Sequence, residues 1–110
     1  MAFTDNYAAQ EPARADVDAL PGLTLLEFGA PWCPICQGAQ PMLAEALAPH
    51  PGVRHIKIED GRGKPLGRSF AVRLWPTVVL LRDGFVMGRW VRPHNGAELV
   101  AALAGADAGT

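Results

Sequence analysis

The two cysteines of the chain, Cys33 and Cys36, are separated by two residues and are the residues best suited to chemistry. A disulfide that closes so short a loop removes little conformational freedom from the unfolded chain, so it would be a poor structural cross-link. Three interpretations are open: half of a zinc site, two small residues close by chance, or a redox couple. In a reducing compartment, a close pair of this kind is more often catalytic or metal-binding than structural.

The zinc interpretation depends on the spacing of Cys33, Cys36, His50 and His55, which is close to that of a two-cysteine, two-histidine zinc finger. In such a finger both histidines lie on one helix. Pro51 and Gly52 separate the two histidines here, and a helix does not continue through them. The spacing therefore does not predict a zinc finger. If the cysteine pair is itself the redox centre, no metal and no organic cofactor need bind.

The surrounding sequence favours a redox couple. An apolar strand ends near Phe28 and a helix is predicted from Pro34, which places Cys33 at the N-cap of that helix. Free backbone N–H groups and the positive end of the helix dipole would stabilise a thiolate at Cys33. Cys36, one turn further on, would face the interior and lie close enough to form a disulfide. A reactive thiol beside a resolving partner is what thiol–disulfide exchange requires.

The elements that must position these cysteines alternate between helices and strands. The predicted order is a helix at 12–20, a strand at 23–28, a helix at 34–48, a strand at 53–59, a short helix at 66–73, a hairpin at 77–91 and a helix at 97–104. Whether a strand precedes the first helix, around residues 3–7, stays open. Strands separated by helices pair in parallel, and the hairpin adds antiparallel edges. The sequence therefore predicts an α/β fold with one mixed sheet of four or five strands and helices on both faces.

Length and composition fit one domain that buries a sizeable core. The chain has 110 residues, 49% of them hydrophobic. We expect an N-terminal segment (1–22) with a short helix packed on a domain (23–105), followed by a flexible tail (106–110). The net charge of −1 argues against a general nucleic-acid or membrane-surface binder. The N-terminus lacks the pattern of a secretory signal, so a cytoplasmic location is expected.

Two segments resemble the thioredoxin family. LLEFGAPWCPICQGAQPML (25–43) is similar to the active-site segment of thioredoxins, with an acid six residues before the first cysteine and a proline five residues after the second. WPTVVLLRDG (75–84) resembles the family's cis-proline strand. The resemblance runs from about Leu23 to Leu103. It implies a thioredoxin fold and disulfide oxidoreductase activity.

The resemblance also implies a role for each matching residue. Cys33 would be the attacking nucleophile and Cys36 the resolving thiol, and the two would form the redox disulfide. Glu27 would be the buried acid that manages the proton of Cys36, with Lys57 on the adjacent strand as its partner. Because burying a carboxyl group is unfavourable, we expect Glu27→Gln to slow resolution and to leave stability equal or higher.

Substrate contacts would come from residues around the cysteines and the proline, which is expected to be cis: Trp32, Pro34, Ile35, Trp75, Pro76, Thr77 and Arg92. The chain departs from the family pattern at several of these positions. Pro34-Ile35 stands where Gly-Pro is usual, Trp75 where a smaller residue is usual, and Arg92 near a usual glycine. These departures leave the chemistry intact and the range of partners open.

The resulting hypothesis is a monomeric oxidoreductase that reduces disulfides of protein substrates. Its electrons would come from a thioredoxin reductase or another dithiol donor, and it would bind neither nucleic acid nor membrane. The alternative is a thioredoxin-fold binding or assembly-chaperone module for a specific partner protein, in which the cysteines are not essential.

Overall fold

Four strands and four helices alternate along residues 3–93 and 96–108, which the computed structural model describes. In chain order they are α1 (Arg14–Asp18), β1 (Leu23–Gly29), α2 (Pro34–Leu47), β2 (Arg54–Glu59), α3 (Pro65–Ser69), β3 (Thr77–Arg82), β4 (Phe85–Val91) and α4 (Ala97–Ala108). None of the helices in this described part is long and apolar enough to cross a membrane.

The strands form one mixed sheet in the order β2-β1-β3-β4. β1 pairs in parallel with β2 and antiparallel with β3, and β3 and β4 form an antiparallel hairpin. Every residue of β1 is buried, which explains why this strand is a nearly continuous apolar run. The predicted mixed sheet with helices on both faces is confirmed, with four strands.

Alternating residues of the strands send side chains to two hydrophobic clusters. Leu25 and Leu80 pack against α2 and α4 on one face of the sheet. Leu26 and Phe28 pack against α1 and α3 on the other face. Because side chains alternate along a strand, Glu27 lies on the same face as Leu25 and points toward α2. This alternation brings a charged side chain under the helix that carries both cysteines.

The hairpin turn is formed by Asp83 and Gly84, as predicted. Both residues have positive φ, 50° and 84°, which matches the twist that a two-residue hairpin turn requires. The backbone N–H of Gly22 also donates to Asp83 Oδ1 at 2.6 Å. The turn is therefore tied to the residue that precedes β1.

Two helices are shorter than the sequence predicts. α1 begins at Arg14 because Ala13 keeps an extended backbone, with ψ of 149°, and no side chain caps the helix. α3 ends at Ser69 because Ala71 has a φ of 57°, which a helix cannot continue through. Within residues 3–13 there is no strand, although Ala8 N–H donates to the Lys57 carbonyl at 2.8 Å. This N-terminal segment therefore lies along the edge of β2 without extending the sheet.

The C-terminal helix is longer than predicted. α4 continues to Ala108, so residues 106–108 belong to a helix and not to the expected tail. The Arg82 guanidinium donates to the Ala106 carbonyl. His50 Nδ1 lies 2.6 Å from Asp107 Oδ2. These contacts with the end of β3 and with the loop after α2 hold the last turn of the helix against the domain.

Candidate functional site

The two cysteines lie at the N-terminus of α2 in different environments. Cys33 is the N-cap residue, with an extended backbone, and Pro34 takes the first helical position. The Cys36 backbone N–H donates to Cys33 Sγ at 3.2 Å. Cys33 is 7% exposed and Cys36 only 1%. Cys33 thus occupies the N-cap position that the sequence predicts, and its sulfur accepts a hydrogen bond from the first turn of the helix.

The inner thiol packs against the end of β1. A Cβ at Gly29 would lie 2.7 Å from Cys36 Sγ and 3.2 Å from Tyr7 Oη, so only glycine leaves room for both groups. Burial raises the pKa of Cys36 to about 12, and its hydrogen bond with Cys33 and the nearby Glu27 act in the same direction. Cys36 therefore stays protonated at neutral pH and needs a base before it can attack.

A buried network of side chains lies directly behind Cys36. The side chains of Glu27 and His55 are both fully buried, and Glu27 Oε1 lies 2.9 Å from His55 Nε2. The Gln40 amide donates to Glu27 Oε2 and to the Cys36 carbonyl, both at 2.8 Å. Each carboxylate oxygen of Glu27 thus has its own hydrogen-bond donor. Gln40 connects the acid to the backbone of the resolving cysteine.

Lys57 lies next to this acid but does not pair with it directly. The two residues are opposite each other in the parallel register of β1 and β2. The Lys57 ammonium instead donates to Gln40 Oε1 and to the Asp5 carbonyl, both at 2.9 Å. The expected acid–lysine pair is therefore an acid–amide–lysine chain, because Gln40 projects from α2 into the space between them.

Tyr7 completes the surroundings of the resolving thiol. The Lys57 ammonium lies 4.6 Å from the centre of the Tyr7 ring. Burial raises the pKa of the Tyr7 phenol, and the charges of Glu27, Cys36 and Cys33 raise it further. A groove of about 440 Å³, lined in part by Tyr7, Lys57 and Gln40, opens this side of the site to solvent. The groove therefore exposes the Lys57 and Gln40 end of the network to solvent.

Aromatic and backbone groups surround the cysteines on their outer side. Trp32 is 67% exposed, and its ring meets the ring of Trp75 edge-on, with centroids 5.6 Å apart. The Trp75 indole donates to Asp60 Oδ2 at 2.9 Å and packs against Cys33 and Cys36. This hydrogen bond holds the large residue that stands where the family usually has a smaller one.

The peptide bond between Trp75 and Pro76 is cis. Arg92 holds this segment from the end of β4: its side-chain Nε donates to the Trp75 carbonyl, and its backbone N–H to the Pro76 carbonyl, both at 2.8 Å. Thr77 is buried, and its hydroxyl donates to the Leu74 carbonyl at 2.6 Å. Of the residues predicted to contact substrate, Trp32, Pro34, Ile35 and Trp75 lie beside the cysteines. Pro76 is buried and is held by Arg92, and Thr77 supports the segment from inside.

Pro34 and Ile35, between the cysteines, face outward. Ile35 is 48% exposed and Pro34 is also exposed. Together with Trp32 they form an apolar surface beside Cys33. A surface of this kind suits the side chains of a bound polypeptide.

The two histidines of the zinc-finger spacing have other partners. His50 contacts Asp107 at 2.6 Å, beyond the C-terminal end of α2. The cysteines lie at the opposite end of α2, and a helix of 14 residues is about 21 Å long. His55 contacts Glu27. Within residues 3–93 and 96–108 no group of three or more potential ligands is placed to hold a metal.

Sequence reasoning missed four residues of this site: Tyr7, Gln40, His55 and Asp60. Two of them carried a usable signal. His55 is two residues before Lys57 on the same strand, so it shares the face on which Glu27 lies. Gln40 is four residues after Cys36 on a helix, so the two lie on one side of it. Nothing local to Tyr7 or Asp60 indicated that they would approach the cysteines.

Comparison with known proteins points to one family. A family model described as thioredoxin matches residues 7–105. The structure of reduced thioredoxin 2 from Pseudomonas aeruginosa is 48% identical, with a TM-score of 0.85, and the match covers 98% of this chain and 100% of that one. A mutant thioredoxin from Halobacterium salinarum is 28% identical, with a TM-score of 0.68, over 83% of this chain and 80% of that one.

Two curated proteins give the same result over shorter segments. A thioredoxin H-type from Ricinus communis is 33% identical over 70 residues, which are 64% of this chain and 59% of that protein. Mitochondrial thioredoxin-3 from Saccharomyces cerevisiae is 31% identical over 65 residues, which are 59% of this chain and 51% of that protein. The chain thus spans little more than half the length of these two relatives.

Proposed function

The chain belongs to the thioredoxin family, and from that premise we propose that it is a thiol–disulfide oxidoreductase that reduces disulfides of protein substrates. The observation that carries the proposal is the asymmetry of the cysteine pair. Cys33 Sγ accepts a helix N–H at the edge of the site, while Cys36 is buried with a pKa raised to about 12. A nucleophile at the helix terminus, slightly more exposed than its protonated partner, corresponds to the two steps of the exchange.

In the first step, the Cys33 thiolate attacks one sulfur of a substrate disulfide. The substrate S–S bond breaks, a mixed disulfide forms, and the other substrate sulfur leaves as a thiolate that takes up a proton. The exposed Trp32 and Ile35 would contact the substrate's side chains. The backbone around Pro76 would pair with its extended chain, with Arg92 fixing the position of the Trp75 carbonyl.

In the second step, Cys36 loses its proton and attacks Cys33 Sγ. The Cys33–substrate S–S bond breaks, and the second substrate sulfur leaves as a thiolate that takes up a proton from solvent. The Cys33–Cys36 disulfide that forms is the two-electron oxidised state of the protein. Glu27 is the base for this step, because it is the buried carboxylate whose partner Gln40 also binds the Cys36 carbonyl. Water in the groove beside Tyr7 and Lys57 would carry the proton away.

Return to the dithiol requires an external donor of two electrons. A thioredoxin reductase or another dithiol donor would fill this role, and the chain would act as a monomer. We expect the protein to work in the cytoplasm, where a reducing environment keeps such a pair available as thiols. The two curated relatives named above are thioredoxins, which supports this class of reaction.

Insulin reduction tests the activity directly. With dithiothreitol as the electron donor, we expect the protein to accelerate precipitation of the insulin B chain well above the background rate. Cys33→Ser is the matched control and should fall to background, since its hydroxyl is a poor nucleophile at neutral pH. If the unaltered protein gave no acceleration, the cysteines would be dispensable and the binding or assembly-chaperone alternative would replace this proposal.

A further inference from the structure

A basic groove, defined here by Asp60, Arg62, Arg68, Arg73 and Trp75, leads away from the cysteines beside α3. Its volume is about 600 Å³. The disulfide chemistry itself does not require it. The groove shares one wall with the active site, because Trp75 also packs against Cys33. A polypeptide whose disulfide reaches Cys33 can therefore continue directly into it.

This region is strongly basic, although the whole chain has a net charge of −1. Between Asp60 and Asp83 the sequence contains no acidic residue and five basic ones: Arg62, Lys64, Arg68, Arg73 and Arg82. The three arginines of the basic groove are exposed. Within residues 3–93 and 96–108, none of their three guanidinium groups has a hydrogen-bond or ion-pair partner.

Two acids beside the basic groove, Asp60 and Glu11, bind groups other than its arginines. Asp60 is buried at its base, and its Oδ2 accepts the Trp75 indole N–H at 2.9 Å. The Glu11 carboxylate accepts the backbone N–H of Leu66 at the start of α3. Neither carboxylate forms an ion pair with the exposed arginine side chains of the basic groove. The positive charge of these arginines is therefore available to a partner.

We propose that the basic groove binds an acidic segment of the substrate protein, adjacent to the cysteine that Cys33 attacks. This inference rests on the proposed reductase function. Guanidinium groups bind carboxylates with two parallel hydrogen bonds, and a concentration of positive charge speeds the approach of an acidic partner. A protein is the expected occupant because Trp75 lines both the groove and the site of disulfide exchange.

Two disulfide-containing peptides of equal length test the proposal. One carries three glutamates next to its cysteine, and the other carries three glutamines at the same positions. Three exposed arginine–carboxylate pairs, each weak on its own, together predict a preference in kcat/KM of roughly tenfold for the acidic peptide at low salt. The preference should shrink toward unity at about 0.5 M salt, where screening is strong.

The variant Arg62→Gln/Arg68→Gln/Arg73→Gln should lose the preference. Arg54→Gln is the control, because Arg54 lies at the other end of β2 and donates to the Pro21 carbonyl and to Thr24; it should keep the preference. Equal reduction of both peptides by the unaltered protein would overturn the proposal while leaving the reductase function intact. Failure to reduce either peptide would instead overturn the reductase function. Competitive inhibition by single-stranded DNA that exceeds inhibition by a polyglutamate peptide would identify a nucleic-acid site and also overturn the proposal.

His55 contacts the Glu27 carboxylate at the oxygen that Gln40 does not contact. The backbone N–H of Thr4 donates to His55 Nδ1 at 2.8 Å. Nδ1 therefore acts as the acceptor, and the ring proton lies on Nε2, which faces Glu27 Oε1 at 2.9 Å. Phe3 stacks on the imidazole with centroids 5.4 Å apart. The N-terminal segment thus fixes the tautomer and the orientation of the ring.

We infer that His55 is a positioning residue for the resolving step, again within the proposed function. Its N–H stabilises the Glu27 carboxylate and directs the second oxygen toward Gln40 and Cys36. Among the hydrogen bonds and ring contacts of the described residues, His55 makes none with Cys33 or with the exposed apolar surface beside it. Loss of His55 should therefore affect the second step and spare the first.

The two steps can be measured separately. In a Cys36→Ser background, rapid-quench mass spectrometry gives the rate of mixed-disulfide formation, which His55→Leu should leave unchanged. With Cys36 present, His55→Leu should slow the release of the second substrate thiol about tenfold, on the order of one lost hydrogen bond to a charged group. His55→Gln, whose side-chain amide can still donate to Glu27, should restore most of that rate. Equal slowing of both steps, or unchanged release in His55→Leu, would overturn the inference.

Discussion

Cys36→Ser is expected to stop turnover completely and to accumulate the mixed disulfide between Cys33 and the substrate. Cys33 keeps its place at the N-cap of α2 and still attacks. The serine hydroxyl cannot displace the substrate sulfur, because it ionises far less readily than a thiol and forms no disulfide. The mixed disulfide with Cys33 therefore forms but is not resolved, and it accumulates.

Intact-protein mass spectrometry after mixing with a disulfide peptide measures this directly. We expect one peptide per protein chain, attached to Cys33, and insulin reduction at the background rate. Cys33→Ser is the matched control: its remaining thiol is 1% exposed and should form little adduct. A stable adduct on Cys36 in that control, at the rate seen in Cys36→Ser, would mean that the two roles are reversed.

Glu27→Gln is expected to slow the release of the second substrate thiol by about a hundredfold, the lower range for loss of a general base. The pKa of Cys36 is raised to about 12, so without the carboxylate only hydroxide can remove its proton near neutral pH. The thiolate fraction, and with it the rate, should then rise about tenfold per pH unit in the variant. In the unaltered protein the pH dependence should be shallower, because Glu27 takes the proton.

The same substitution should reduce the free energy of unfolding, which is the opposite of the sequence-based expectation. Both side chains that contact the carboxylate act as donors. Thr4 donates to His55 Nδ1, which leaves the His55 Nε2 proton facing Glu27. Lys57 donates to Gln40 Oε1, which leaves the Gln40 N–H₂ group facing Glu27. A glutamine amide presents one oxygen and one N–H₂ group, so one donor is left facing another. An unsatisfied buried polar group costs about 1–3 kcal/mol.

Stopped-flow kinetics at several pH values and urea denaturation of the reduced protein would measure both effects. Glu27→Asp is the matched control, since it keeps the charge and shortens the side chain by one methylene. We expect it to retain more of the rate than Glu27→Gln. Unchanged release in Glu27→Gln, together with a loss of stability, would make Glu27 a structural residue only.

The sequence alone determined the features that depend on neighbouring residues. The N-cap position of Cys33 follows from Pro34 and the apolar stripe of the helix behind it, and the hairpin follows from Asp83-Gly84. These signals act over a few residues, through backbone preferences and the periodicity of apolar side chains. They were sufficient for the mixed sheet and for the asymmetry between the two cysteines. They could not place the ends of α1 and α3, which are set by the backbone angles of Ala13 and Ala71, or the end of α4, which is held by contacts with Arg82 and His50.

Only the tertiary structure decided which side chains meet behind and beside the cysteines. His55 reaches Glu27 because β1 and β2 pair in one parallel register, and Gln40 separates Glu27 from Lys57 because of how α2 rests on the sheet. Trp75 meets Asp60 across 15 positions of the chain. Hydrogen bonds of this kind form between groups far apart in sequence, at distances that a one-residue change of register or a small helix rotation would abolish. The residue types were visible in the sequence, but their partners were set by packing.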